Sequence, residues 1–487
     1  MSLVTPPASY GKGYYTKAFV FRGIYVLGND DVSDEAVYRA AEIVFNSLAG
    51  LDQKIIDKLV QYGARFAVIP HGTPITDLPD YADLGPSWSH YRGLGGVIGA
   101  PTSSSGEENL IPGHPGDPYG HSESIGLHEW LHAIEGIGLK AGNPALHNQF
   151  KAAYSSALQQ GLWANTYADD TFFEYFAETA QAYFNDNPDV SPPNGIHNSI
   201  NTRAELAAYD PTVYALHSRL FGTAAWEVGD FYGSEAADTM VAGPGGGRVM
   251  FGNGGDDLLL GGRGRDYLLG GDGADTLRGG AGRDDLDGGA GHDTADFTDK
   301  SKGVVLSLKG DKFATAKVGG VSDDKLKGIE SVLGSKRGDK LTGDGLGNML
   351  SGNAGNDTLK GGRGDDTLSG GAGADSLSGG SGLDQFLFNA TLRKSSADKI
   401  TDFRHGQDKI ALDDAVFAAI GPTLEAGELV ARANATKAKE LDDRLIYNTK
   451  TGALLYDADG SGGGAAIKIA TLTNKPAVLD IGDFLIV

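Results

Sequence analysis

Gly252-Asn-Gly-Gly-Asp-Asp257-Leu-Leu259-Leu-Gly261-Gly-Arg-Gly-Arg-Asp266-Tyr-Leu268-Leu-Gly270-Gly-Asp-Gly-Ala-Asp275-Thr-Leu277-Arg278 holds three consecutive copies of one nine-residue pattern, G-G-x-G-x-D-x-U-x, with U large and apolar. Clear copies also begin at Gly279 and Gly288. A second run begins at Gly352, Gly361, Gly370 and Gly379, preceded by weaker copies at Gly334 and Gly343. A flexible Gly-Asp linker needs no apolar residue at every ninth place, so the period points to stacked coils. The glycines permit tight turns whose carbonyls face inward. Position six adds a carboxylate: Asp257, Asp266, Asp275, Asp284 and Asp293, then Asp339, Asp357, Asp366, Asp375 and Asp384. The U residues (Leu259, Leu268, Leu277, Leu286; Leu359, Leu368, Leu377, Phe386) supply a narrow core. If two nonapeptides complete one coil, copies n and n+2 are neighbours, and Asp257 shares an ion with Asp275 as Asp357 does with Asp375. Oxygen-only ligands of flexible geometry select calcium.

This pattern is identified as the RTX-type calcium-binding repeat of a parallel β-roll. Arg248 and Asn348 stand at ligand positions of weak copies, where poor ion binding or none is expected. Residues 297–333 break the period with Val304-Val-Leu-Ser-Leu308 and Val318-Gly-Gly-Val321, read as strands joining two roll segments. After Leu387 come short strands between turn signals, expected as a small β-sandwich continuing the roll. Asp457-Ala-Asp459-Gly-Ser-Gly462 reads either as a further cation loop or as a polar hairpin turn.

Upstream, the chain changes character. Residues 18–27 read as one strand, and 34–62 carry a helical period that Gly50 divides into two helices. Arg65 to Pro70 reads as a short buried strand, and 71–121 as a long irregular stretch of functional loops. Ser124-Ile-Gly-Leu-His128-Glu129-Trp130-Leu131-His132-Ala-Ile-Glu135 mixes apolar positions at helical spacing. On a helix, residues four apart share a face, so His128 and His132 can hold one metal ion with Glu129 beside it as a base. Asn143-Pro144 and Asp210-Pro211 each open a further helix, ending near Gln160 and Gly222. Asp169 or Asp170 is expected to cap a helix bearing Glu174 and Glu178 on one face. His114, His121 and His147 read as surface or loop residues.

Bulk properties narrow the classes. Of 487 residues 74 are glycine, about twice the usual share of roughly 7%. That length implies two or three domains. The formal charge of -23 argues against nucleic acid or an anionic membrane as partner and suits a chain that neutralises itself with cations. Cysteine is absent, which excludes disulfides and thiolate ligands and leaves bound metal as the staple. No apolar run reaches 18 residues, so no transmembrane segment is expected, and Met1-Ser-Leu-Val-Thr-Pro-Pro lacks the form of a signal peptide.

Two resemblances extend these readings. Residues 334–487 resemble the carboxy-terminal region of the serralysin group of RTX exoproteins, through Asp398-Lys-Ile-Thr-Asp-Phe403, Asp443-Arg-Leu-Ile-Tyr447, Leu455-Tyr-Asp-Ala-Asp-Gly-Ser-Gly462 and Asp483-Phe-Leu-Ile-Val487. That resemblance implies an uncleaved C-terminal signal, a type I exporter as partner, and an extracellular destination. It does not extend to a serralysin catalytic domain, which needs H-E-x-x-H-x-x-G-x-x-H. Here Glu135 and Gly138 occupy the later positions.

The front half instead resembles the metallopeptidase domain of anthrax lethal factor and the Pro-Pro endopeptidases. The match rests on His128–His132 and on Glu174-Tyr-Phe-Ala-Glu178, with weaker support from Thr76-Asp-Leu-Pro79, Arg92-Gly-Leu-Gly-Gly96 and Glu107-Glu-Asn-Leu110. It implies Glu174 as third zinc ligand, Tyr167 as a transition-state aid, Glu129 as the base acting on zinc-bound water, and Glu178 as rival ligand or outer support of the site.

The expected architecture is therefore multidomain. An α+β, mainly helical, zincin-like metallopeptidase domain spans 1–225. The roll spans 226–387, with repeat blocks 252–296 and 334–387 and the strand insert 297–333. A C-terminal β domain with the secretion signal spans 388–487. The expected function is that of a secreted zinc endopeptidase, a monomer acting on protein or peptide, with one catalytic zinc and several structural calcium ions. The rival expectation is a non-enzymatic RTX surface or adhesion protein with a degenerate front domain.

Overall fold

The computed structural model describes residues 3–111, 114, 124–186, 197–222, 231–243, 247–393 and 396–487. The expected boundary near residue 225, and His121, lie outside the described residues. The chain divides into two compact units: Met1–Gly233 with Met240–Phe251 and Gly262–Gly264, and Ser234–Thr239 with Gly252–Gly261 and Arg265–Val487.

The first unit is built on a five-stranded sheet, order β1 (Lys17–Phe21), β2 (Ile24–Gly28), β3 (Arg65–Ile69), β5 (Thr102–Gly106), β4 (Gly93–Leu94). The stretch 18–27, expected as one strand, is a hairpin. Arg22 and Gly23 both take positive φ (52° and 82°), which lets a two-residue turn reverse the chain. β2, β3 and β5 run parallel, and β4 returns antiparallel at the edge. Alternation then fixes the two faces. Phe19 meets Tyr38 and Phe45 of α1 (Asp34–Ser47). Ala18, Leu27 and Ala67 point the other way, onto Ile75, Leu78 and Tyr81. α2 (Gln53–Gln61) follows Gly50, as expected.

β5 is the element the sequence conceals. Thr102-Ser-Ser-Ser-Gly106 carries no apolar side chain, yet all five residues are buried. Its ladder with β3 satisfies the backbone, and Ser103 Oγ donates to the carbonyl of Glu129 at 3.0 Å while accepting from Gly96 N at 3.0 Å. The irregular stretch 71–121 thus contains a strand packed against the helix that matters most.

That helix is α3 (Ile125–Ala133), opened by Ser124, whose side chain accepts from Leu127 N, and continued by a π-helical turn over Ile134–Leu139. After the short α4 (Lys140–Gly142), α5 (Pro144–Gln160) starts at the Asn143 cap and stops at Gly161, φ 68°. α6 (Tyr167–Asp170) is one turn, and α7 (Phe172–Tyr183) crosses α3. The cap of α7 is Thr171, whose hydroxyl accepts from Glu174 N, not Asp169 or Asp170, which form α6. α8 (Arg203–Tyr209) has a Thr202–Glu205 capping box. α9 (Pro211–Phe221) is capped by Asp210, whose carboxylate also accepts from Tyr175 Oη at 2.7 Å.

The second unit carries large, mostly parallel sheets whose register repeats every 18 residues. Leu259, Leu277 and Ala295 align in one sheet and Leu268 with Leu286 in the other. From the last strand of the insert onward, Val332, Leu350, Leu368, Phe386 and Ile410 align in the first, and Leu341, Leu359, Leu377 and Ile400 in the second. All are fully buried, so the core is one apolar side chain per nonapeptide, supplied alternately by the two faces. The insert is an antiparallel excursion set into the sheet: Val304–Ser307 pairs with Ala314–Val318, which pairs with Val321–Lys327. Its outer strands resume parallel pairing on the roll, Leu326 beside Leu286 and Leu306 beside Leu341. The strands expected as a sandwich after Leu387 extend the same two sheets: Ile467–Leu472 joins Asp398–Ile400, and Phe484–Ile486 joins Lys409–Leu412. Among the described residues no helix is long and apolar enough to cross a membrane.

Candidate metal centre

His128 and His132 face α7 from α3, and Glu174, in the first turn of α7, faces back. His128 Nε2 lies 3.1 Å from Glu174 Oε2 and 3.2 Å from His132 Nε2, and His132 Nε2 lies 3.7 Å from Glu174 Oε2. Three electron-pair donors thus crowd one point. A tetrahedral ion with bonds of about 2.05 Å would set its ligands about 3.3 Å apart, so the triangle fits one such ion.

The residues behind the triangle fix its chemistry. Glu174, Glu178 and Gln181 are spaced i, i+4, i+7 and share the face of α7 turned to α3. Gln181 Oε1 accepts from His128 Nδ1 at 2.7 Å, while its amide nitrogen points to Ser124 O and Asp186 Oδ2, both at 3.4 Å. An amide oxygen only accepts, so the Nδ1 proton is fixed and Nε2 is left as the lone-pair donor. Glu178, expected as rival ligand or outer support, has Oε1 3.4 Å from His128 Nδ1 and Oε2 3.2 Å from His197 Nδ1. It lies on the far side of the ring from the triangle. Gln181 and His197 were missed in the sequence. The only signal for Gln181 is its place one heptad after Glu174.

Burial disfavours charge on His128, but the hydrogen bond it donates to Glu174 and the charges of Glu178, Glu129 and Glu174 outweigh it and hold its pKa well above the ordinary value. His132 is held down to about 4 by burial and by its neighbour's charge. Glu174 stays below the usual carboxylate range despite burial, because His128 and His132 face it. A divalent cation suits the triangle.

Glu129 packs beside β4: a Cβ at Gly93 would come within 2.9 Å of its Cγ, and one at Gly95 would overlap the His132 side chain. The edge strand therefore needs glycine to approach α3 this closely. Arg92, just before it, pairs with Glu108 and donates to Pro70 O at 3.0 Å, drawing the segments around 70, 92 and 108 together. Tyr167 is half exposed on α6. Burial raises its pKa, and the charges of Glu174, Asp170 and Glu178 add to that, so the phenol stays protonated at neutral pH. His147, expected at the surface, is buried on α5 and paired with Glu135, while the His114 ring meets that of His71 at a tilt of 54°.

In the roll, each position-six Asp holds the turn next to it. The backbone N–H of Asp257 donates to Asp275 Oδ1 at 2.8 Å, that of Asp266 to Asp284 Oδ1 at 2.8 Å, and that of Asp357 to Asp375 Oδ1 at 2.7 Å. Asp293 closes on Asp275 and Asp384 on Asp366 in the same way, and Asp339 serves Val304 N. The other oxygen of Asp257, Asp275, Asp284, Asp293, Asp357, Asp366 and Asp375 is buried with no hydrogen-bond partner. Burial, then neighbouring carboxylates, push Asp357 and Asp366 up to about 7. Buried, orphaned carboxylate oxygens call for a cation. The ladder also recruits residues outside the regular repeat. Asp324 takes the place next to Asp284, Glu330 next to Asp293, Asp398 next to Asp375 and Asp408 next to Asp384. Asn348 keeps the geometry with a neutral group, accepting from Asp344 N, whereas Arg248 turns away to donate to Asn46 O.

The RTX calcium-binding nonapeptide repeat family matches residues 249–268, 260–295 and 351–386, in four copies. The chain therefore carries RTX calcium-binding repeats, a structural calcium module. No curated protein matches the chain. Similar solved structures include the AlgE6R3 subunit of the Azotobacter vinelandii mannuronan C5-epimerase, at 27% identity over 31% of this chain and 80% of that one, TM-score 0.24. The Pro-Pro endopeptidase PPEP-2 from Paenibacillus alvei is 18% identical over 40% of this chain and 97% of that one, TM-score 0.28. The extracellular lipase LipA from Serratia marcescens is 20% identical over 50% of this chain and 40% of that one, TM-score 0.17. Likenesses this weak carry no argument for function, and the case for the first unit rests on its own side chains.

Proposed function

We propose that the protein is a secreted zinc-dependent endopeptidase whose first unit is a zincin-like catalytic domain, borne on a calcium-dependent RTX roll with a C-terminal type I export signal. The observation that carries the catalytic reading is the convergence of His128 Nε2, His132 Nε2 and Glu174 Oε2 within 3.7 Å of one another, backed by a Gln181 that leaves Nε2 free to ligate. Two imidazoles and one carboxylate, with no sulfur, match a hydrolytic zinc set. The division into a catalytic domain over 1–225, a roll over 226–387 and a terminal domain over 388–487 is part of this proposal.

Zinc, when bound there, supplies Lewis acidity toward a peptide carbonyl and its attacking water. Glu129, next to His128 on α3, takes the proton of the attacking water and passes it to the leaving amine. The Tyr167 hydroxyl donates to the carbonyl oxygen as it gains charge. Gln181 holds the His128 ring, and Glu178 with His197 supports it from behind.

The test is direct. Zinc content and cleavage of a peptide library are measured for the wild type and for Glu129→Ala. Wild type with about one zinc per chain and cleavage, and E129A with the zinc but at least 100-fold less cleavage, is the expected pair of results. Equal cleavage by both sinks the mechanism.

A further inference from the structure

Of the ten position-six carboxylates, seven keep an orphaned oxygen, and Asp339 satisfies both of its oxygens with the neutral groups of Ser335 and Val304. Asp384, the last position-six Asp, is fully buried, and its Oδ2 has a partner: Arg404 Nη2 at 3.2 Å. The same nitrogen lies 3.2 Å from Asp408 Oδ1 and donates to the Gly382 carbonyl at 2.8 Å. Gly382 and Asp384 belong to one nonapeptide copy, and Asp408 is the carboxylate of the neighbouring coil, bonded through its Oδ1 to Asp384 N at 3.3 Å. One inward carbonyl and the carboxylates of two successive coils are the ligand kinds that a turn of the roll presents to its ion. Here a guanidinium nitrogen sits among them.

We propose that Arg404 is a built-in cation that takes the place of calcium at the last turn of the roll. Its position in the chain makes this workable: the Arg404 backbone N–H is itself held by Asp408 Oδ2 at 2.7 Å, so the side chain starts at the rim of the turn and reaches inward. The charge balance fits as well, because the guanidinium faces two buried carboxylates where the internal turns present paired carboxylates with an oxygen left over. Lys300 comes near to the same arrangement at the insert, with Nζ 2.9 Å from Asp323 Oδ2, 3.5 Å from Asp324 Oδ2 and bonded to Gly280 O. It leaves Asp284 Oδ2 without a partner, so it does not complete the set. The consequence for the roll is an end coil closed by the chain itself, while the internal coils depend on the ion.

The full-length chain tests this. Calcium per chain is counted after desalting from saturating calcium for wild type, Arg404→Lys and Arg404→Gln, and crystals of the wild type soaked with terbium are mapped by anomalous scattering. The expected results are one additional calcium in R404Q, none in R404K, and wild-type terbium peaks at the internal turns with none beside Asp384 and Asp408. A terbium peak between those carboxylates, or a folded R404Q with unchanged stoichiometry, overturns the proposal. If R404Q does not fold, the wild-type terbium map alone decides.

Discussion

Gln181 Oε1 and His128 Nδ1 lie 2.7 Å apart, joining the α7 face that carries Glu174 to the first histidine of α3. The bond makes Nε2 of His128, the nitrogen that faces His132 and Glu174, a lone-pair donor by fixing the proton on the other side of the ring. Gln181→Leu keeps the volume of this fully buried side chain and removes the acceptor. Zinc affinity should then fall about 10- to 100-fold, as read by competition with a chromophoric chelator. An unchanged affinity would show that Glu178 and His197 orient the ring without it.

Asp80 gives the first unit a pH dependence of its own. Its carboxylate accepts from Tyr15 Oη at 2.6 Å and Thr102 Oγ1 at 2.7 Å and pairs with Arg65. Burial works to raise its pKa, but these hydrogen bonds and the Arg65 charge win and hold it below the ordinary value. A carboxyl with a depressed folded pKa stabilises the fold fully above the unfolded value, near pH 4, and loses that contribution as pH falls through the folded pKa. Asp80→Asn should therefore cost roughly 1.5–3 kcal/mol at pH 7, the range for hydrogen bonds to a charged group, with the gap to wild type narrowing below pH 4. All four tryptophans precede residue 233, so urea unfolding followed by tryptophan fluorescence in saturating calcium reads this unit selectively.

The second unit should answer to calcium instead. Its buried carboxylates repel one another without a cation, and one apolar side chain per nonapeptide is a thin core to set against that. Circular dichroism in chelator should show a large loss of β signal, regained on adding calcium. Asp357→Ala should raise the calcium concentration needed at the midpoint, while the tryptophan signal of the first unit stays put. A β signal that persists in chelator would refute the dependence.

Much of this protein was legible where the local rule and the global fold agree. Asn143-Pro144 and Asp210-Pro211 open helices because a cap and a proline act within one turn. The nonapeptide set both the coil and its core because glycine, Asp and Leu recur in step with the structure. The misses come from context. Arg22-Gly23 makes a hairpin of an apolar run that carries no marked turn pair. Thr102–Gly106 is a strand because its neighbours supply the burial that its serines do not ask for. Asp324, Glu330, Asp398 and Asp408 join the Asp ladder from outside the nine-residue spacing, so no period could mark them.

By itself, the sequence determined the repeat geometry, the carboxylates aimed inward and the pair of histidines on one helical face, since each of these depends on spacing along a single element. Which carboxylate meets the histidines was a tertiary matter. Glu174 and Glu178 are equivalent by spacing, and only the crossing of α7 over α3 puts Glu174 at the two Nε2 atoms and Glu178 behind the ring. The same holds for Arg404, whose neighbours Asp384 and Gly382 lie some twenty residues back and are brought to it only by the turn of the coil.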